Sequence, residues 1–365
     1  MIGNLHARLA RISLEFGLSV AVAVAALAIG FIFIAASGAS FGEAAEAFVE
    51  GGFGTRRNFA GTLSKMVPLV LVALGWIVVF RASRFHVGFQ GQILIGGLLV
   101  AIVALEVSLP TVVHLPLAIL AGVVGGVLWA GIVAWLWAAR GVNEILSTLL
   151  LNLVAIQVIS WVVRGPLQQP ETPLPQTSPL QESSRWPDLL VDTSLKLDLL
   201  LIPFVVIAIG LLLARTVFGF RVRLVGDNSN AARFAGVSPE RTGVYAILLS
   251  GALAGLAGSS LLLAGDTPGM TDGFDGGYGF QGIAVALLAR NSPWGVIPAA
   301  LLFATLRQAG GVMEATVGVS SAVVDVTQGI VIVLVLAATS ILYFRARATE
   351  APRAPIGRTE QAEAT

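Results

Sequence analysis

The chain has 365 residues, of which 56% are hydrophobic and only 12% charged. A soluble globular protein carries about 25% charged residues, so a single water-soluble domain is excluded and lipid is the expected solvent. The net charge of +1 says nothing about acidic partners, and the absence of cysteine excludes disulfides, thiolate catalysis and cysteine metal sites.

The amino-terminal stretch carries Arg8 and Arg11 before an apolar run, 16–36. That run is longer than the roughly 7–15 apolar residues of a cleaved signal, so it reads as a retained first span. A bilayer core takes about 20 apolar residues per helix. Ten segments fit: 16–36, 62–80, 91–109, 115–138, 144–163, 198–214, 243–264, 274–289, 293–312 and 323–344. The eighth is the weakest, because Gly273, Gly276, Gly277 and Gly279 fill its first half. The fold class is therefore all-α: a polytopic membrane protein of about ten transmembrane helices over 1–345, followed by a polar tail, 346–365, expected to be disordered and cytoplasmic.

With the amino terminus inside, the alternating topology puts most of the 22 basic residues in cytoplasmic segments, as the positive-inside rule requires. Two loops follow from that topology. The outer loop 165–197 is rich in proline (Pro166, Pro170, Pro173, Pro175, Pro179, Pro187), which resists helix; it is either a connector or a surface for an extracytoplasmic partner. The inner loop 215–242 should carry a one-to-two-turn helix. Asp227, Asn228 or Ser229 would cap it, Ala231, Ala232, Arg233 and Phe234 would form it, and Gly236 and Pro239 would end it.

Polar side chains in spans are costly and face the bundle interior. The candidates for a substrate pathway are His86, Gln90, Gln92, Asn143, Glu144, Ser147, Thr148, Asn152 and Gln281, with Gln157, Asp325 and Gln328 as further polar positions. Asn143, Glu144, Ser147, Thr148 and Asn152 form a row at helical spacing. Such a row lines a path or gate, or it holds helices together by hydrogen bonds. Gly88-Phe89-Gln90-Gly91 recurs as Gly279-Phe280-Gln281-Gly282 in spans of opposite direction, a possible inverted repeat of broken helices around a substrate site. Gly122 with Gly126 and Gly251 with Gly255 are GxxxG spacings suited to close helix packing.

Enzymatic readings are weak. Gly38-Ala39-Ser40-Phe41-Gly42 matches GxSxG but follows a lipid span instead of forming a strand-to-helix elbow. His6, His86 and His114 have no metal spacing. No metal, cofactor or nucleic-acid partner is expected.

Four stretches carry a resemblance. Gly226-Asp227-Asn228 through Ala231-Ala232-Arg233-Phe234-Ala235-Gly236-Val237 resembles the coupling-loop pattern G-x-N-x-x-A-A-x-x-A-G-[IV] of ABC importer permeases of the branched-chain amino acid/ribose type. Gly141-Val142-Asn143-Glu144 with Ser147–Asn152, Tyr278–Leu288, and Phe80-Arg81 with Gly88–Gln92 are similar to motifs of its nucleoside or simple-sugar branch. That family usually has Asn at the place of His86 and Glu at that of Gln90, so substrate preference could differ here.

The resemblance implies a multi-pass subunit of the plasma membrane (the bacterial inner membrane), paired with a second permease subunit. It also implies an ABC ATPase subunit that binds ATP, docked at Gly226, Asp227, Asn228, Ala231, Ala232, Arg233, Phe234 and Gly236, and an extracytoplasmic substrate-binding protein. The chain has no GxxxxGK[ST] loop of its own. An ion-coupled secondary transporter is the alternative. It usually needs ionisable groups at membrane depth, and only Asp325 and Glu144 come close.

Overall fold

The computed structural model describes residues 41–317 except Glu171, together with residues 326, 329, 330 and 333. The expected first span, most of the tenth with Asp325 and Gln328, and the tail 346–365 lie outside the described residues.

Among the described residues the fold is helical, with three isolated β-bridges in loops. A short helix, α1 (Phe41–Val49), runs through a π-helical turn (Glu50–Gly54) to α2 (Arg56–Arg81). Then come α3 (Phe89–Glu106), α4 (Thr111–Arg140), α5 (Glu144–Val163), α6 (Leu201–Arg215), α7 (Val217–Asp227), α8 (Ser229–Phe234), α9 (Pro239–Leu263), α10 (Tyr278–Leu288) and α11 (Val296–Val317). Seven of these segments are long and apolar enough to cross a membrane: α2, α3, α4, α5, α6 with its leading 3₁₀ turn, α9 and α11. The eighth expected span, 274–289, is corrected to the 11-residue α10. Gly273 (φ 74°), Gly276 (φ 48°) and Gly277 (φ 77°) are left-handed, a conformation that cannot continue an α-helix.

Helix α2 is the axis of the fold. Every residue from Met66 to Val79 is buried, as expected of a helix that is apolar all round. It packs against α9, α10, α11, α6 and α7. Beside it α3, α4 and α9 meet almost backbone to backbone. A Cβ on Gly126 would lie 2.1 Å from the Gly251 carbonyl oxygen, and one on Gly255 would lie 2.1 Å from that of Gly122. The two GxxxG pairs are therefore one interface, with small residues admitting contact that lipid-solvated helices cannot reach otherwise. Gly126→Val should separate α4 from α9 and cost at least about 2 kcal/mol of stability. A melting point in detergent equal to that of the parent would contradict this.

Chain reversal sorts the connections into two ends. One carries the turn 82–88, the starts of α5 and α9, the ends of α4 and α6, and α7 and α8; its arginines include Arg81, Arg84, Arg140, Arg215, Arg221, Arg223, Arg233 and Arg241. The other carries residues 107–110, 164–196 and 264–277. The proline-rich loop is anchored there: the Arg185 guanidinium donates to the carbonyls of Gly265 (3.1 Å), Thr267 (2.9 Å) and Pro268 (2.8 Å), and Thr177 N–H donates to Met270 O. The loop 215–242 holds more helix than its glycines suggest. Helix α7 precedes α8, capped by Thr216, whose hydroxyl accepts from Gly219 N–H (3.1 Å), with Val222 and Val225 buried.

Candidate functional site

Helices α3 and α10 both begin inside the bundle. Gly88 precedes the first turn of α3 and Gly277 that of α10. A Cβ on Gly279 would lie 2.6 Å from the Gln90 backbone nitrogen, so the two Gly-Phe-Gln-Gly stretches press on each other at helix amino termini. Helix amino termini carry partial positive charge and free N–H groups.

Polar side chains gather at this contact. Asp275, 4% exposed, accepts from Gly277 N–H at 3.2 Å and from the Gln90 side chain. From α11, the Arg307 guanidinium donates to Gln281 Oε1 at 3.0 Å and stacks 4.1 Å over the Tyr278 ring. One residue on, Gln308 Oε1 accepts from Lys65 Nζ of α2 at 2.5 Å. Asp266 and Arg307 both act on the Lys65 charge, and Arg307 on that of Asp275. A cationic side chain away from water is tolerable only with such partners. Pro68, three residues after Lys65, interrupts the helical hydrogen bonds of α2 at this depth.

A cavity of about 160 Å³ adjoins the cluster on its 264–277 side, between Lys65, Asp198, Ser260, Asp266 and Tyr278. Asp198, 1% exposed, accepts from Ser260 Oγ at 2.5 Å, and its other oxygen has no partner among the described residues. These groups offer donors, acceptors and an aromatic face.

The other polar positions singled out in the sequence sit elsewhere. Asn143 caps α5, its side-chain oxygen accepting from Ile145 N–H at 2.9 Å. Glu144 Oε1 accepts from Phe85 N–H at 2.7 Å. Ser147 and Thr148 donate to backbone carbonyls one turn back. Asn152 clasps the start of α3, accepting from Gly91 N–H at 2.9 Å and donating to Val87 O at 3.0 Å. This row joins α5 to the 82–91 segment, and Gln157 is exposed on the far face of α5. Of the nine pathway candidates, Gln90 and Gln281 are the ones that reach the Arg307 cluster.

His86 and Gln92 form a separate buried pair. The His86 ring is fully buried, with its Nε2 2.6 Å from Gln92 Nε2. With the amide donating, the ring is neutral. Burial pulls the His86 pKa down to about 4, the bond to Gln92 opposing. The unfolded chain binds its proton near 6.5, so the stability contributed by the neutral ring is complete above that pH. It should be lost as pH falls from about 6.5 towards 4, by on the order of 3 kcal/mol. Thermal unfolding across that range should show the slope, and His86→Asn should flatten it.

At the arginine-rich end, α8 has the geometry its sequence suggests. Asn228 supplies the cap, accepting from Asn230 and Ala231 N–H at 3.0 Å each. Gly236, at φ 77°, ends the helix; its N–H donates to Arg233 O and that of Val237 to Ala232 O. Ala232 is wholly buried, and Arg233 pairs with Glu240. Phe234, 95% exposed, projects from the fold.

Lys65, Asp198, Asp275, Tyr278, Arg307 and Gln308 were missed as site residues by sequence reasoning. Lys65 and Arg307 each fall within an apolar stretch, where an ionisable group signals function.

A helical bundle with a polar centre and an exposed short helix at its arginine-rich end fits the class of membrane permeases. The chain belongs to the family described as "Branched-chain amino acid transport system / permease component", whose profile matches residues 58–336. It is 35% identical over 333 residues to a glucose ABC transporter permease of Haloferax volcanii, covering 88% of this chain and 87% of that one. It is 31% identical over 322 residues to a guanosine ABC transporter permease of Bacillus subtilis (87% and 92% covered). It is 30% identical over 263 residues to a nucleoside ABC transporter permease of Lactococcus lactis (70% and 72% covered). No solved structure matches. The protein is thus a multi-pass permease subunit of an ATP-driven ABC importer, a reading these relatives favour over ion-coupled transport.

Proposed function

We propose that this subunit imports a nucleoside or a simple sugar, and that the solute passes between Gln90, Asp275, Tyr278, Gln281 and Arg307. The observation that carries this is the meeting of two glycine-broken helix starts at a buried cluster of amide, carboxylate, guanidinium and phenol groups. Those groups match the hydroxyls and ring edges of an uncharged polar solute. The three relatives carry glucose, guanosine and nucleosides by name, which supports the same classes here. In this reading the chain is a multi-pass protein of the bacterial inner membrane, whose two Gly-Phe-Gln-Gly segments are halves of an inverted repeat.

The arginine-rich end faces the cytoplasm, where residues 227–236 dock on the ATPase subunit. The anchored loop 165–197 faces outward and receives the substrate-binding protein, and a second permease subunit completes the pore. Closure of the ATPases moves α8, and the bundle switches access from outside to inside. The test is uptake by the assembled transporter in proteoliposomes, with a panel of nucleosides and monosaccharides. ATP-dependent uptake of one class is the expected result. Uptake that persists without ATP and follows a proton or sodium gradient would refute the proposal.

A further inference from the structure

A second, larger cavity lies at the arginine-rich end, away from the central cluster. It measures about 680 Å³, within the range of small-molecule sites, and is bounded by the end of α2, the turn after it, α7 and the turn between α10 and α11. Arg81, Arg84, Arg223 and Arg290 line it, with the rings of Phe80 and Phe85 and one carboxylate, Asp227. Arg81, Arg84 and Arg223 have no carboxylate within salt-bridge distance among the described residues. Arg81 and Arg223 are close enough to repel.

Backbone and aromatic contacts hold these guanidinium groups in place. Arg81 donates to Asn291 O at 2.9 Å, Arg223 to Leu213 O, and Arg84 lies 4.4 Å over the Trp137 ring. Arg84 Nε and Asn291 Oδ1 are buried without partners among the described residues. Fixed guanidinium groups from three separate segments, with net positive charge, are an arrangement that recognises phosphate oxygens. The flanking phenylalanines add an apolar wall that inorganic phosphate alone would not use.

We propose that this cavity is a binding site for a phosphate-bearing ligand of nucleotide or sugar phosphate size, which on binding ties α2, α7 and the α10–α11 turn together and slows transport. Arg81 and Arg290 hold the static side, and Arg223 brings in the helix that leads to α8. Binding does not depend on which solute is imported; only the inhibition rests on the transport function proposed above.

The test uses the full chain assembled with its ATPase in phosphatidylcholine nanodiscs, titrated with glucose 6-phosphate, inorganic phosphate and glucose. Glucose 6-phosphate should bind more tightly than inorganic phosphate, excess glucose should not displace it, and added salt should weaken the interaction. The double variant R81Q/R223Q should bind at least about tenfold more weakly. R81K/R223K, which keeps the charge but not the planar fork, should recover part of that loss and melt with the parent. If discs containing phosphatidylglycerol displace glucose 6-phosphate, and the glutamine variant loses that lipid, the phosphate comes from a headgroup and the site stands. Unchanged glucose 6-phosphate affinity in R81Q/R223Q would overturn the proposal. So would binding by the permease alone but not by the assembled transporter, which would mean that an acidic side chain of the ATPase fills the cavity. Solute uptake is scored separately, so a wrong transport assignment and a wrong phosphate site give different results.

Discussion

Arg307→Leu should reduce uptake to about 1% of the parent rate or less, because the arginine joins three parts of the central cluster at once. Its guanidinium donates to Gln281, covers the Tyr278 ring and offsets the buried Asp275 carboxylate. Leucine keeps the bulk and removes all three. Removing one member of a buried charged network costs on the order of 3–5 kcal/mol, and each 1.4 kcal/mol is about tenfold in an equilibrium or rate. Arg307→Lys should recover only part of the activity, since an ammonium cannot present the planar fork that bonds Gln281 while stacking on tyrosine. Proteoliposome uptake, paired with a melting curve in detergent, reads both effects. Full uptake by a stable leucine variant would remove the central cluster from the transport path.

The second large effect is expected at α8. Phe234 is 95% exposed, on a six-residue helix whose small neighbours leave it the main apolar projection. Exposed aromatic side chains that become buried at an interface often supply 2 kcal/mol or more of binding, so Phe234→Ala should weaken ATPase association by about thirtyfold or more. Gly236→Pro acts on the backbone. Proline holds φ near −65°, whereas Gly236 sits at +77° and donates its N–H to Arg233. That change should misdirect the path from α8 into α9 and abolish ATP-driven uptake, while the bundle remains folded. A charge at Ala232, which is fully buried, should do the same by lifting α8 from its support. Co-purification with the ATPase measures the first variant and coupled ATP hydrolysis the others. Normal ATP-dependent uptake by Gly236→Pro would refute the assignment of this loop to energy coupling.

Much of the fold was legible because lipid leaves few choices. Seven of the expected spans correspond to long apolar helices, and 144–163 matches α5 residue for residue. α8, its asparagine cap and its glycine end follow from local chemistry within ten residues. The central site was less legible, since its members come from α2, α3, the 264–277 segment, α10 and α11. No periodicity in one helix reports such a convergence. The α5 row shows the converse: helical spacing exposed a polar stripe, but spacing cannot say whether a stripe faces solute or another backbone, and here Asn152 grips Val87 and Gly91. Helix α7 was hidden by Gly219 and Gly226, which look like breaks but are close-contact points.

Gly226 has a wider consequence. A Cβ there would stand 2.1 Å from the carbonyl oxygen of Arg81, and Ser83 Oγ donates to the Gly226 carbonyl at 2.9 Å. The end of α7 therefore rests on the last turn of α2 with no side chain between them to deform. Displacement imposed at α8 is delivered with little slack to a helix buried along most of its length, whose far half holds Lys65. A stiff joint of this kind would let a small stroke by the motor subunit register at Lys65, near the opposite end of the Arg56–Arg81 helix, instead of dissipating in rotamer changes at the membrane surface.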